Sequence, residues 1–325
     1  MQRTIIDNLK SERVRRVADL SNRRSRARTG QYVIEGPQSV REAVRCVPQA
    51  VRCVPQAVRD VYVAVDDSDG AGHTDMALLA RHGYARMPDE SCEGIPVSAL
   101  LAPIVAEALS HGVYVHLCSA GVVERMSRDA QGIVAVGDMQ ATRDAMTGTA
   151  PETPGVGGSG GHPSLVAAFW QVRDPGNAGT VIRAADAAGC AAVVFVDECV
   201  DMFNPKVIRA TAGSLFHLPV LTMTTGEFFT WCSERGLVVT AADVYGTPGN
   251  RPVPLPELLG GDGGRDADRA VLFGNEARGL PDDVLERSDT VVSIPIYGRA
   301  ESLNLGTSAA VMLMSMAMSS RFGRM

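Results

Sequence analysis

"LVAAFWQVRDPGNAGTVIRAADAAGCAAVVFV", Leu165 to Val196, decides the fold. Two short, uninterrupted apolar runs, "LVAAFW" and "AAVVFV", flank a helical segment opened by the turn former "DPGN". A strand that is apolar throughout is buried on both faces, and a helix between two such strands returns the chain to run parallel. The pattern recurs downstream. "LPVLTM", "LVVTAA", "AVLFGN" and "TVVSIPI" are bounded by turn residues, with "GEFFTWCSERG" and "PDDVLERSD" as helices among them. Residues 164–325 therefore read as an α/β domain on a parallel sheet. The segment "SLNLGTSAAVMLMSMAMSS" closes it as a helix. Its small and apolar residues, with Met312, Met314, Met316 and Met318 in alternation, run nearly all round, so burial on every side is expected, in part against a second copy of the chain.

Upstream lies a smaller α/β domain, residues 30–137. "TGQYVIEGPQSVREAV" reads as strand, Gly turn and helix; "RDVYVAVDD", "GVYVHLCS" and "QGIVAVGDM" read as strands, with "MALLARHGY" helical. Residues 138–163, which include "TGTAPETPGVGGSGGHP", lack periodicity and read as a flexible linker. Gly155, Gly157 and Gly160 match GxGxxG there, but no strand precedes them and no helix follows, so a dinucleotide site and the oxidoreductase that would need it are set aside. "VRCVPQA" stands twice in tandem, 44–50 and 51–57, a duplication that enlarges a loop.

The 325 residues carry a net charge of −6, which excludes a histone-like polycation. The average hides an asymmetry: residues 1–30 hold nine Lys/Arg against three acids. We read residues 1–29 as a basic N-terminal arm for a polyanion, with Arg23, Arg24, Arg26 and Arg28 as the residues that would bind it. Seven cysteines without CxxC spacing and scattered histidines point to a reducing compartment and no metal. The N-terminus has no apolar signal region, and the longest uncharged run, Ser302 to Ser320, is too polar to span a bilayer. A cytoplasmic protein without membrane contact is expected.

In an open parallel sheet the ligand crevice lies beyond the carboxyl ends of the strands. Three polar clusters fall there: "DPGNAGTVIRAADAAG" after "VAAFW", "GNEARGL" after "AVLF", and "PIYGRAESLNLGTSAA" after "TVVSI". Alone, each has a plain reading: Asn177 as a helix cap, Glu276 as a first-turn acid, Asn304 as a turn residue.

Together they carry a resemblance. The chain resembles the SpoU, or TrmH-like, RNA ribose methyltransferases of the SPOUT superfamily. Asn177, Gly179 and Arg183 match the first family motif; Gly274, Glu276, Gly279 and Leu280 the second; Pro295, Ser302, Leu303 and Asn304 the third. "NPKVIRATAGSLFHLPV", Asn204 to Val220, is also similar, and "RTGQYVIEGPQSVREAV" resembles the L30e-like substrate-binding domain found before the catalytic domain in many members. "LNLGTSAA" departs mildly from the third motif, and the segment before "QGIVAV" is short.

The resemblance implies a trefoil-knotted catalytic domain, a homodimer with its active sites at the interface, and S-adenosylmethionine held by Gly274, Asn275, Ile294, Pro295, Leu303 and Asn304, with no metal. It implies methyl transfer to a ribose 2′-hydroxyl of structured RNA, ribosomal RNA before transfer RNA. A ribose hydroxyl is a poor nucleophile, so its deprotonation needs help. Arg183 is the candidate, and a guanidinium, always protonated, would act by orienting phosphate and hydroxyl and not as a base. Asn177, Glu276, Asn304 and Ser302 would position the reacting groups. A non-catalytic RNA-binding or assembly factor of the same fold is the rival reading; loss of Arg183, Glu276 or Asn304 would have favoured it, and all three are present.

Overall fold

The computed structural model describes residues 2–46, 57–65, 97–149, 163–261 and 267–321. Most of the tandem heptapeptide, the expected helix at 76–84 and the Gly155–Gly160 triplet lie outside the described residues. The chain divides into two compact units, Met1–Gly148 with Phe203–His217, and Thr149–Met202 with Leu218–Met325.

The first unit is built on a five-stranded sheet in the order β1-β4-β3-β5-β2: β1 (Gln2–Ile6), β2 (Gln31–Glu35), β3 (Val58–Ala64), β4 (Tyr114–Cys118) and β5 (Ile133–Asp138). β4 pairs parallel with β1 and β3, whereas β5 runs antiparallel to β3 and β2. Residues 2–29 contribute a strand and two helices to this unit. After β1, which the sequence reading missed, come α1 (Glu12–Asp19) and α2 (Arg23–Thr29). Ser11 caps α1 by accepting from the Val14 amide at 3.3 Å, and Val14 and Val17 face inward at helical spacing. They join Leu20, Tyr62, Cys118 and Val122 in one apolar cluster. Asn22 caps α2, and Gly30, at φ +65°, ends it in the left-handed conformation that glycine adopts without strain. The remaining helices are α3 (Pro37–Arg45), α4 (Ala102–Ser110), α5 (Ala120–Met126) and α6 (Met139–Thr149). The last occupies the start of the expected linker. Ala141, Ala145 and Met146 are buried at helical spacing, and Asp138 caps its first turn.

A segment from the middle of the chain completes this unit. α7 (Pro175–Ala187) belongs to the second unit, but α8 (Pro205–Thr211) packs in the first. Phe203 is fully buried with its ring 4.6 Å from that of Tyr32, and Arg209 donates at 2.5 Å to the buried carboxylate of Glu35.

The second unit is a seven-stranded, wholly parallel sheet in the order β10-β12-β9-β11-β6-β7-β8. Its strands are β6 (Leu165–Trp170), β7 (Ala192–Val196), β8 (Val220–Met223), β9 (Val238–Ala242), β10 (Val253–Pro254), β11 (Arg269–Phe273) and β12 (Thr290–Ser293). All six apolar runs of the sequence are strands; the two-residue β10 is the addition. The helices are α7, α9 (Thr225–Glu234), α10 (Leu255–Gly260), α11 (Asp282–Arg287) and α12 (Leu305–Arg321). Alternate strand residues serve opposite faces. Val166, Ala168, Ala270 and Leu272 pack with Phe228 and Cys232 of α9 and Val284 and Leu285 of α11. Phe169 and Phe273, directly paired across β6 and β11, stack on the other face with centroids 5.1 Å apart.

α7 and α12 lie together, and their small residues explain how. A Cβ on Gly306 would come within 2.7 Å of Thr180 Cγ2, so the two helices meet where only hydrogen fits. Ala178, Gly179, Val181, Ile182, Ala184 and Ala185 form the buried side of α7. Its small residues thus serve helix packing. α12 is not buried on every side within the chain: Ala309, Met312, Leu313, Met316 and Ala317 are inside, while Val311 and Met318 are exposed.

Candidate functional site

Three turns at the carboxyl ends of β6, β11 and β12 meet. The first opens α7. Asp174, not Asn177, is its N-cap, accepting from the Asn177 amide at 2.8 Å, and Pro175 suits the first helical position. The second turn follows β11 and is closed by paired amides and carbonyls of Asn275 and Gly279, at 3.1 and 2.9 Å. Gly274 must lack a side chain: a Cβ would sit 2.4 Å from the Gly279 carbonyl carbon and 2.7 Å from the Leu280 nitrogen. Gly279 takes φ +67°, a conformation that disfavours other residues. The third turn ends in Asn304, whose Oδ1 accepts from the Gly306 amide at 2.8 Å and opens α12.

A directed hydrogen-bond chain joins the turns. Asn304 Nδ2 donates to Asn177 Oδ1 at 3.1 Å, and Asn177 Nδ2 donates to Glu276 Oε1 at 3.1 Å. The cap on α12 uses the Asn304 oxygen, which leaves its amide nitrogen to donate; Asn177 must then accept with its oxygen and donate onward. The chain ends on a carboxylate because a carboxylate only accepts. Asn275 Nδ2 adds bonds to Glu276 Oε2 at 3.3 Å and to the Gln171 carbonyl at 2.8 Å. Glu276 sits in the turn, on no helix, so it is not a first-turn acid.

Beside this chain lies a cavity of about 540 Å³, lined by backbone and side chains of residues 242–245, 273–279, 292–294, 296, 301–305, 308 and 312. Of the residues expected to hold a cofactor, Gly274, Asn275, Ile294, Leu303 and Asn304 line it; Pro295 sits between two lining residues without being one. Glu276 and Ser302 also line it, and both are exposed. Asn177 reaches the rim through Asn304 and Glu276. Arg183 does not line the cavity. Six residues beyond Asn177, it leaves α7 roughly 240° round and about 9 Å along the axis. It is exposed and makes no hydrogen bond or ion pair with another described residue.

Asp243, Tyr245, Gln171 and Arg278 belong to this neighbourhood and were not singled out in the sequence. Asp243 Oδ1 accepts from the amides of Tyr245 and Gly246, each at 2.8 Å, shaping the loop after β9. Its place at a strand's carboxyl end was the available signal. Gln171 adopts φ +50° and accepts from Arg278 at 3.1 Å; no sequence rule points to a glutamine there. Burial pushes the Cys199 thiol up to about 11, which disfavours its thiolate. Of the basic candidates in the first unit, Arg23, Arg24 and Arg28 are exposed. Arg26 is not: it is buried, its Nη1 donating to the Leu20 and Ser21 carbonyls at 3.0 and 2.9 Å, because the turn between α1 and α2 needs a donor inside.

Residues 164–314 match the family model described as the SpoU rRNA Methylase family. Among curated proteins, the chain is 38% identical over 142 residues to the 23S rRNA (guanosine(2553)-2′-O)-methyltransferase RlmP of Bacillus subtilis, covering 44% of this chain and 53% of that one. It is 33% identical over 153 residues to the 23S rRNA (uridine(2479)-2′-O)-methyltransferase of Streptomyces viridochromogenes, covering 45% and 49%. The chain spans about half the length of these relatives. Among solved structures, the AdoMet-bound rRNA methyltransferase from Sinorhizobium meliloti shares the fold at TM-score 0.67 and 23% identity, over 98% of this chain and 97% of that one. The SpoU methyltransferase AviRb of Streptomyces viridochromogenes in complex with AdoMet does so at TM-score 0.66 and 21% identity, over 96% and 100%. Among the described residues, no helix is long and apolar enough to cross a membrane.

Proposed function

We propose, from the match of residues 164–314 to the SpoU rRNA methylase family, that this chain transfers a methyl group from S-adenosylmethionine to a ribose 2′-hydroxyl of ribosomal RNA. The observation that carries the reading is the Asn304–Asn177–Glu276 chain, which ties three distant segments together at the rim of one cavity. The cavity has the volume of a small-molecule site, and Gly274, which lines it, lets the turn pack tightly against the backbone of Gly279 and Leu280. Gly274, Asn275, Ile294, Leu303 and Asn304 would hold the cofactor, with Pro295 stiffening the strand end between them. Bound there, S-adenosylmethionine supplies an activated methyl on a sulfonium, so no metal is called for.

The chain's own groups orient the acceptor. Glu276, held as an acceptor by Asn177 and Asn275, offers the rim a fixed negative charge. Ser302 adds a hydroxyl there. Arg183 carries a planar fork suited to a phosphate and the neighbouring hydroxyl together. The hydroxyl proton leaves to a phosphate oxygen or to water. Because Arg183 does not line its own chain's cavity, we assign it to the site of a second copy in a homodimer that also covers Val311 and Met318 of α12.

The test is single-turnover methylation of 23S rRNA from cells lacking this gene, at saturating cofactor and with chelator present. Arg183→Lys should fold and bind S-adenosylhomocysteine as the wild type does, and lose methylation by at least 100-fold. Absence of both cofactor binding and transfer in the wild type would overturn the reading. Near-normal transfer by Arg183→Lys would remove the fork from it.

A further inference from the structure

The reaction proposed above leaves two parts of the target nucleotide without a partner. With the ribose hydroxyl at the cavity and Arg183 of a second copy on one phosphate, the base and the other flanking phosphate lie outside, at the cavity mouth. A base out of its stack takes an aromatic face, and a phosphate takes a cation. Two exposed side chains of the second unit stand there, one of each kind.

Tyr245 borders the cavity yet is 81% exposed, so its ring stands at the mouth and not on the floor. Neither its ring nor its hydroxyl has a partner among the described residues. Its backbone, by contrast, is fixed. Asp243 pins the start of the loop by accepting from the Tyr245 and Gly246 amides. Thr247 and Asn250 close it, their amides and carbonyls pairing at 3.0 and 3.2 Å. Asn250 Nδ2 then donates to the carbonyls of Leu285 and Ser288 at 3.0 and 2.8 Å, tying the loop to the end of α11. Gly246, at φ +60°, lets the chain fold this closely: a Cβ there would meet the Asn250 carbonyl oxygen at 2.5 Å. A ring carried on a fixed backbone has less freedom to lose on stacking.

Arg278 stands on the neighbouring turn, and its cation is placed. Its Nη2 donates to Gln171 Oε1 at 3.1 Å, and Gln171 is itself held, its carbonyl accepting from Asn275 Nδ2 at 2.8 Å. Arg278 lines the cavity, is exposed, and pairs with no carboxylate among the described residues. The two turns are in contact: a Cβ on Gly279 would lie 3.5 Å from Asp243 Oδ2. An anchored cation beside an open aromatic ring is the combination that grips a single-stranded nucleotide.

We propose that Tyr245 and Arg278 grip the target nucleotide at the cavity mouth, the ring stacked on its base and the guanidinium on its phosphate, with Gln171 as the positioning residue of Arg278. This rests on the reading of the chain as an RNA 2′-O-methyltransferase and adds how a nucleotide taken out of its stack is presented to that site.

The probe is 23S rRNA from cells lacking this gene, methylated by the full chain in single turnover at saturating cofactor with the RNA concentration varied. Tyr245→Ala should lower the rate at limiting RNA about 5- to 150-fold, and Tyr245→Phe should restore it, because stacking needs the ring and not the hydroxyl. Arg278→Gln should also slow transfer, and should lower the slope of log RNA affinity against log salt by about 0.7, one phosphate contact on a single strand. Gln171→Met keeps the side chain's length and loses its acceptor. It should slow the wild type and add nothing in the Arg278→Gln background, a pattern that a general loss of fold does not give. S-adenosylhomocysteine affinity and the thermal midpoint should stay at wild-type values in Tyr245→Ala and Arg278→Gln. If Tyr245→Ala instead loses S-adenosylhomocysteine affinity while its dependence on RNA is unchanged, the ring belongs to the cofactor; the grip is then wrong and the methyltransferase reading stands. Transfer at the wild-type rate by both variants overturns the grip alone as well. If wild type transfers no methyl to this RNA, both fall.

Discussion

Gly274 shows how one missing methyl organises the candidate site. Its neighbours within Cβ reach are backbone atoms of Gly279 and Leu280, which cannot swing aside as a side chain could. In Gly274→Ala the turn that holds Asn275 and Glu276 must shift, at a cost of about 1–3 kcal/mol. We expect a lower thermal midpoint and a markedly weaker S-adenosylhomocysteine affinity by calorimetry. Gly298, with nothing within 4 Å of its would-be Cβ, is the control, and its alanine variant should match wild type in both. Equal behaviour of the two variants would mean that the turn is not under this constraint. Residues were also where sequence reading was least reliable. The polarity of Asn177, Glu276 and Asn304 was visible, but their order in the hydrogen-bond chain depends on which atom each spends on its own turn. Arg26 was read by its charge alone; its burial follows from two carbonyls, of Leu20 and Ser21, that no composition argument reveals.

At the scale of elements the strands were legible, because six continuous apolar runs can be buried only in a sheet covered on both faces. β1 was hidden: "QRTII" carries a charge and too few residues to show a period, and its partner β4 lies more than a hundred residues away. The placement of α8 in the first unit was hidden for the same reason, since the Tyr32–Phe203 and Glu35–Arg209 contacts are remote in sequence. The start of α7 is local and tests the link from helix cap to site. The Asp174 carboxylate receives the Asn177 amide and so sets where Asn177 stands relative to Asn304 and Glu276. Asp174→Ala removes an N-cap worth about 1 kcal/mol. Asp174→Asn and Asp174→Ser retain a capping oxygen and should recover most of the stability. If the cap also positions Asn177, single-turnover methylation should fall in Asp174→Ala well below its folded fraction and recover with the same two variants. Activity that only follows the folded fraction would confine Asp174 to stability.

At the scale of the whole molecule, a cavity and an arginine that does not line it must make a single reaction centre. The cavity-side groups end at Glu276 and Asn304, whereas Arg183 leaves α7 on its exposed face. Val311 and Met318 are exposed on α12, the helix against which α7 packs. Two copies joined symmetrically through these helices would bury that apolar surface, and each would lend its Arg183 to the other. Light scattering should therefore give a dimer, and Met318→Lys should weaken it. Complementation tests the exchange of Arg183 directly. Arg183→Ala and Asn304→Ala should each be inactive alone. After the two are unfolded and refolded together, half of the dimers contain one of each. In such a dimer, one site combines an intact Asn304 with the partner's intact Arg183, and the other site has lost both. If Arg183 acts across the interface, the mixture regains about a quarter of wild-type single-turnover methylation. If Arg183 acts within its own chain, every site in the mixture lacks one group and nothing returns. Recovery near a quarter, lost again when Met318→Lys is added to both chains, would tie the activity to the dimer; no recovery from a mixture shown by mass to contain mixed dimers would place Arg183 back in its own chain's site.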